Sequence, residues 1–458
     1  MVAVPLGQTS YKRAGARNAE VALINMLVEA DPTNQVTGKT LIQRPGLELH
    51  STCGNQPGRG IFRRFGVVNG LYYIVAGEKL YGVDDDGVSV EIGAIPGSDI
   101  VQMDGNANRL IIVAEGIAWS YDGSTITQIN MPLAEEVSSV AYIKGYFVLV
   151  CDRSQRFYWL APGDTDPDAL NFASVESSSD RIIRAIRFLD ELWFFGQQTT
   201  EIWQVTGNLD APFAPLGGRL YDKGAANRNC ITTTDNTLFW VGNDLTVYRA
   251  ETSPVRISDH TVEEVLRNAG IDDLRAWAFT HDGHTIYCLR IADLGTYSFD
   301  VENANWPRFQ SYNEDTWRAH LGTQVTADLI VAIDDQDGSV WRLDSTINTD
   351  GDDPMEREIT GGLAVIGKPI KNSSIYLAMA TGWAPLDLED PRILMKFSDD
   401  GGNTWSSWIE AKVGLTGQYK DQAIWRQLGS MSAPGRIFRF RCTDDFPFRA
   451  SYCRANEV

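Results

Sequence analysis

The stretch LIVAIDDQDGSVWRLD, residues 329–344, decides the fold. Five apolar residues in a row read as a buried strand. Asp337-Gly338 reads as a tight hairpin turn, because both positions tolerate positive φ. The residues after it alternate around Trp341, as a second strand would. The same order recurs upstream. It appears as YIVAGEKLYGV (73–83), IIVAEGIAWSYD (111–122), FVLVCDRSQRFYWL (147–160), LWFFGQQTTEIWQV (192–205), LFWVGNDLTVYRA (238–250) and IYCLRIADLGTYSFD (286–300). The aligned aromatics are Tyr81, Trp119, Tyr158, Trp203, Tyr248, Tyr297 and Trp341, spaced by 38, 39, 45, 45, 49 and 44 residues.

A repeat of that length with several strands per unit is the signature of propeller blades. One four-stranded blade cannot bury both of its faces. Neighbours arranged in a ring cover them, and closure leaves only short edges. Asn69-Gly70, Asp86-Gly87, Asp104-Gly105, Asp122-Gly123 and Asp282-Gly283 supply further hairpin signals. The expected fold is therefore all-β, a β-propeller of about seven blades over residues 61–344. One helix interrupts it. TVEEVLRN (261–268) is capped by Ser258 or Asp259 and stopped by Gly270.

Outside the repeat the pattern changes. Residues 1–60 hold Pro5, Pro32, Pro45 and Pro57 and keep no period, which predicts an extended arm. Residues 345–358, STINTDGDDPMERE, read as a polar linker. Residues 359–458 return to period-two alternation in SIYLAMA, RILMKFSDD and RIFRFRC, which predicts a smaller β-sandwich-like domain.

The 458 residues carry a net charge of −20, all of it in the middle. Residues 61–344 are net −20, residues 345–358 net −4, and the two ends net +2 each. That balance argues against a binder that neutralises nucleic-acid phosphates or anionic lipid. No apolar run is long enough to span a membrane, and the start lacks the layout of an export signal. The six cysteines are scattered without a Cys-x-x-Cys pair, so free buried thiols are expected.

Candidate chemistry is sparse. Gly38-Lys39-Thr40 lacks the earlier glycine of a phosphate loop, since Thr33 stands there. His281-Asp282-Gly283-His284 offers two imidazoles on a hairpin turn without further ligands. Asp334, Asp335 and Asp337, like Asp350, Asp352 and Asp353, lack the spacing and the late glutamate of a calcium loop and read as turns. Arg436, Arg439 and Arg441 read as an exposed strand, the last two on one face. The most specific motif is an Asp-box, Ser398, Asp400, Gly402, Thr404 and Trp405, whose expected role is to fold a hairpin. No catalytic, cofactor or metal residue is assigned.

Several segments in order resemble one family. They are Asn18-Ala19-Glu20, Ile24 to Glu29, Arg44-Pro45-Gly46-Leu47, Glu201 to Gly207, Lys223-Gly224, Phe239 to Gly242, Arg256-Ile257-Ser258, Phe397 to Gly402, and Trp425 to Gly429. Together they resemble the packaged-DNA stabilisation, or tail hub, proteins of short-tailed bacteriophages. The resemblance implies a structural virion protein of the tail, made in the host cytoplasm. It implies a homo-oligomeric ring, taken as a hexamer, below the portal and adaptor proteins. Such a ring extends the DNA channel without sequence-specific binding and carries a tail needle, tailspike or fibre. Part of the acidic surplus is expected to face that channel and let DNA slide. Two rivals remain from the residues alone: a sialidase-like glycosidase, prompted by the Asp-box, and a carbohydrate-binding module.

Overall fold

The computed structural model describes residues 2–12, 20–63, 68–234, 236–365 and 368–456. Asn18 and Ala19 of the first resembling segment lie outside them. The chain divides into two units: Leu49–Ala292 with Arg318–Arg342, and Met1–Glu48 with Asp293–Trp317 and Leu343–Val458.

The first unit is the propeller. Seven inner strands surround one central cavity: Gly58–Phe62, Gln102–Gly105, Val137–Ile143, Ile182–Phe188, Thr232–Thr234, Leu274–His281 and Ala319–Gln324. Five of them begin four-stranded antiparallel sheets in simple sequence order. The last begins a sheet whose fourth strand, Gly46–Thr52, comes from far upstream. That strand closes the ring, and the Cys53 amide donates to the Gly338 carbonyl at 2.7 Å. Each of the seven aligned aromatics falls on the third strand of its repeat. Between blades the apolar faces meet in small cores. In one, Phe157 packs on Phe194 with centroids 4.6 Å apart and on Trp203 at 5.5 Å. The helix spans His260–Ala269, with Asp259 as its N-cap and Gly270 at φ 79° as its C-cap.

The second unit is a β-sandwich. One sheet runs Ala423–Arg426, Ser374–Met379, Arg449–Ala455, Lys39–Gln43 and Met26–Ala30, with Val2–Val4 also on Arg449–Ala455. Facing strands are Leu23–Ile24, Arg357–Ala364, Gly435–Cys442, Arg392–Ser398 and Ile409–Lys412. Between them lies one core that includes Leu23, Met26, Val28, Ile359, Trp425, Phe438 and Phe440.

Two expected segments differ from this arrangement. The supposed arm, 1–60, contributes strands to both units rather than lying extended over one. Val2–Val4, Leu23–Ile24, Lys39–Gln43 and Gly46–Thr52 take partners from far along the sequence, so no local period marks them. The supposed linker, 345–358, contains Asp350, Met355 and Arg357, all fully buried. Its polarity belongs to a buried ion pair, described next.

Candidate functional site

Two of the segments that carry the family resemblance meet around Arg44. Arg44 is fully buried and so is Asp350. Arg44 donates from Nη2 to Asp350 Oδ2 at 2.6 Å and from Nη1 to Oδ1 at 2.9 Å, a bidentate pair. Its Nε donates to Asn25 Oδ1 at 2.9 Å. Asn25 stands at φ 54° and donates to the carbonyls of Gln310 at 2.9 Å and Glu356 at 2.7 Å. The guanidinium lies 4.8 Å from the Trp317 ring centroid. Two segments read separately, Ile24 to Glu29 and Arg44 to Leu47, thus form one node. Asp350 is its counter-charge rather than a turn residue, because a buried guanidinium needs one.

The Asp-box folds its own turn. Asp400 accepts from Thr404 N at 2.9 Å and Thr404 Oγ1 at 2.7 Å. Ser398 Oγ donates to Asp400 Oδ1 at 2.7 Å and accepts from Gly402 N at 2.9 Å. Those hydrogen bonds, the Thr404 hydroxyl's first, hold the Asp400 carboxyl down at about 2. Trp405 donates from Nε1 to the Gly402 carbonyl at 3.0 Å.

So anchored, Trp405 covers a charged layer on the sandwich face. Its ring centroid lies 4.7 Å from the Arg439 guanidinium, and Trp408 lies 4.7 Å from that of Arg441. Lys396 sits by both rings, at 5.1 and 4.5 Å. Arg439 pairs with Glu20 at 3.2 Å and Arg441 with Glu356 at 3.0 Å. Arg436 pairs with Asp399 at 2.7 Å. The expectation of an exposed basic strand is corrected here: Arg436 and Arg439 are buried, and all three arginines have carboxylate partners. Of the residues read as linker, Glu356 supplies one of those carboxylates, and Glu358 adds a further one beside Arg439 and Arg441.

The propeller's central channel is crossed by a plug. The short turn Arg228–Cys230 is ordered by Asn227, whose side chain accepts from Asn229 N. From it Arg228 reaches Asp99 at 3.1 Å, which Arg59 also holds at 3.0 Å. Asn229 accepts from Gln102 Nε2 at 2.7 Å. These contacts span from the fifth blade to the second and leave two cavities, of about 690 and 570 Å³, with Asn229 in the walls of both. The larger one holds Arg63, Arg184 and Arg187. A sialidase would aim three arginines at a substrate carboxylate beside a Tyr-Glu pair. Here Arg184 Nη1 donates to the carbonyls of Arg228 at 2.8 Å and Ile231 at 2.9 Å, and Arg187 Nε to that of Leu189 at 2.8 Å. Among the described residues, no Tyr or Glu lines that cavity. Nor do they contain a group of three potential metal ligands. His281 and His284 flank a two-residue turn, with Asp282 at φ 48° and Gly283 at φ 81°, and His284 is buried.

Residues 2–348 match the family model described as bacteriophage P22 Gp10, beta-propeller, and residues 367–457 match its beta-sandwich counterpart. No curated protein matches the chain. Among solved structures, the WD40 domain of Neurospora crassa Pan2 aligns over 66% of this chain and 97% of its own, at 9% identity and a TM-score of 0.43. The WD40 propeller of Doa1 aligns over 65% and 97%, at 11% identity and a TM-score of 0.42.

Proposed function

The chain belongs to the bacteriophage P22 Gp10 family, a phage tail protein family, and on that premise we propose that it is a tail hub subunit. In this reading it is a structural, non-catalytic protein of the virion. Copies assemble in the host cytoplasm as a ring, a hexamer, below the portal and adaptor proteins. The ring extends the DNA channel, retains the packaged genome and carries the distal needle, spike or fibre proteins.

The observation that carries the reading beyond the family is the plugged propeller. Arg228 and Asn229 tie opposite blades together across the centre. DNA therefore has no path through one subunit, and a conduit requires several copies around a shared axis. The charge supports the same reading. A duplex presents about one negative charge per 1.7 Å of axis, so carboxylates on the conduit wall repel it and keep it sliding. The propeller's own larger cavity is not that wall, because Asp104 is the one carboxylate lining it among the described residues. The acidic turns, such as Asp84-Asp85-Asp86 with two exposed members, are the candidates to face the ring axis.

The test is the mass of the purified chain, alone and mixed with its cognate portal–adaptor complex. A monomer that is captured in a fixed ratio on mixing supports the hub. A chain that ignores the complex overturns it.

A further inference from the structure

The seam between the sixth and last blades is held by a buried histidine that must stay neutral. His320 is the extra residue where the register shifts between Ala319 and Leu321, a bulge of the kind that re-aims a side chain. It stands on the inner strand Ala319–Gln324 of the last blade and is buried. Its Nδ1 lies 2.6 Å from Nη1 of Arg275, on the inner strand Leu274–His281 of the sixth blade. A guanidinium can only donate, so Nδ1 accepts and the imidazole proton sits on Nε2. Two more contacts cross the same seam. Trp277 Nε1 donates to the Ala319 carbonyl at 3.1 Å, and Arg290 pairs with Asp335.

Protonating Nδ1 would set one N–H against another and place an imidazolium beside a guanidinium. The nearby carboxylates are already engaged. Asp273 holds Arg275 at 2.9 Å, and Asp335 holds Arg290. On the last blade's own sheet, Asp334 lies opposite Ala319, accepts from Trp341 Nε1 at 2.8 Å and has Arg318 at 3.8 Å. Burial first, then the charges of Arg275 and Arg290, hold the His320 imidazole well below its ordinary value of 6.5, with the Gly58 backbone pulling the other way. We propose that this seam is an acid-released latch, in which one proton taken up by His320 breaks the Arg275 contact and parts the sixth and last blades. The opened seam binds that proton at the ordinary value and the closed one does not. The latch is therefore at full strength above 6.5 and weakens as pH falls below it. It lies within the propeller unit and does not depend on the tail-hub reading.

Hydrogen exchange of the full-length chain tests the latch, read by mass spectrometry between about pH 7.5 and 5.5 and normalised to the intrinsic rate. One proton per opening predicts a loss of protection of up to about tenfold per pH unit below 6.5 in Leu274–His281 and Ala319–Gln324. Val137–Ile143, an inner strand away from the seam, should keep its protection. His320→Asn retains an acceptor for Arg275 but cannot titrate, so the seam's protection should become flat with pH. Arg275→Gln removes the charge that opposes the proton and should shrink the slope, which keeps the test alive if the first variant does not fold. His281→Asn, on the same strand and beside Asp282, should leave the slope as it is in the unaltered chain. A flat profile in the unaltered chain, an equal loss in Val137–Ile143, a slope that survives His320→Asn or is undiminished in Arg275→Gln, or one abolished by His281→Asn would each overturn the proposal.

Discussion

At the scale of single residues, the Arg44–Asp350 pair and the Asp400 carboxylate sit at opposite extremes of burial. Asp350→Asn leaves a buried guanidinium without its counter-charge, and that loss costs about 3–5 kcal/mol. The half-exposed Arg449–Glu29 pair gives the contrast, since Glu29→Gln should cost less than about 1 kcal/mol. Urea unfolding of both variants measures the difference, and equal losses would contradict the buried node. Asp400 acts through pH instead. Its folded carboxyl titrates at about 2, below the ordinary value of 3.8, so the hairpin gains stability above the ordinary value. That gain disappears as pH falls from 4 toward 2. Asp400→Asn should therefore lower Tm at pH 7 and lose that deficit by pH 2. A deficit that persists at pH 2 would mean that the charge is not the cause.

At the scale of elements, ring closure depends on Gly338. A Cβ there would lie 2.3 Å from the Cys53 carbonyl oxygen and 2.6 Å from that of Gly54, both backbone atoms that cannot swing aside. Gly338→Ala should cost about 1–3 kcal/mol, as overpacking does, and loosen the closing sheet. Hydrogen exchange of Ile330–Asp334 and Ser339–Asp344 would report it, and unchanged protection would sink the claim. The blades themselves were legible, because each repeat places an apolar strand, a turn and an aromatic third strand in the same order. The helix ends were likewise legible, with Ser258 or Asp259 and Gly270 as the candidate caps and Asp259 the one that caps, since capping is local chemistry. What escaped was everything built from distant partners. Gly46–Thr52, Asp350 and the carboxylates facing Arg439 and Arg441 look like loop, linker and exposed strand until the fold brings them together. The Asp-box was legible as a motif, but the cations under Trp405 and Trp408 were not. Cation–π pairing across strands leaves no spacing to read.

At the scale of the whole molecule, each unit takes strands from the N-terminal segment. Residues 1–48 supply Val4, Leu23, Met26, Val28 and Leu41 to the sandwich core. Removing them should not yield a trimmed, soluble hub. The remaining chain should show exposed apolar surface by dye binding and a reduced near-ultraviolet signal from Trp425 and its neighbours. A soluble, compact 49–458 fragment with native spectra would contradict this account. The plug adds rigidity at the same scale, because the Arg228–Asp99 and Asn229–Gln102 contacts join blades that are not neighbours in the ring.

The pairing of Val2–Val4 with Arg449–Ala455 also sets a schedule for the ribosome. With roughly 450 residues between the partners, translation at about 5–20 residues per second leaves the first strand waiting on the order of a minute. Meanwhile the edges of Met26–Ala30 and Lys39–Gln43 have only each other. The nascent chain thus spends most of its synthesis with an unfinished sandwich and an unlatched ring, both awaiting sequence not yet made. Yield in a foreign host should then depend on chaperone supply more than on codon choice. A message truncated by a few codons should produce aggregates rather than a slightly shorter subunit.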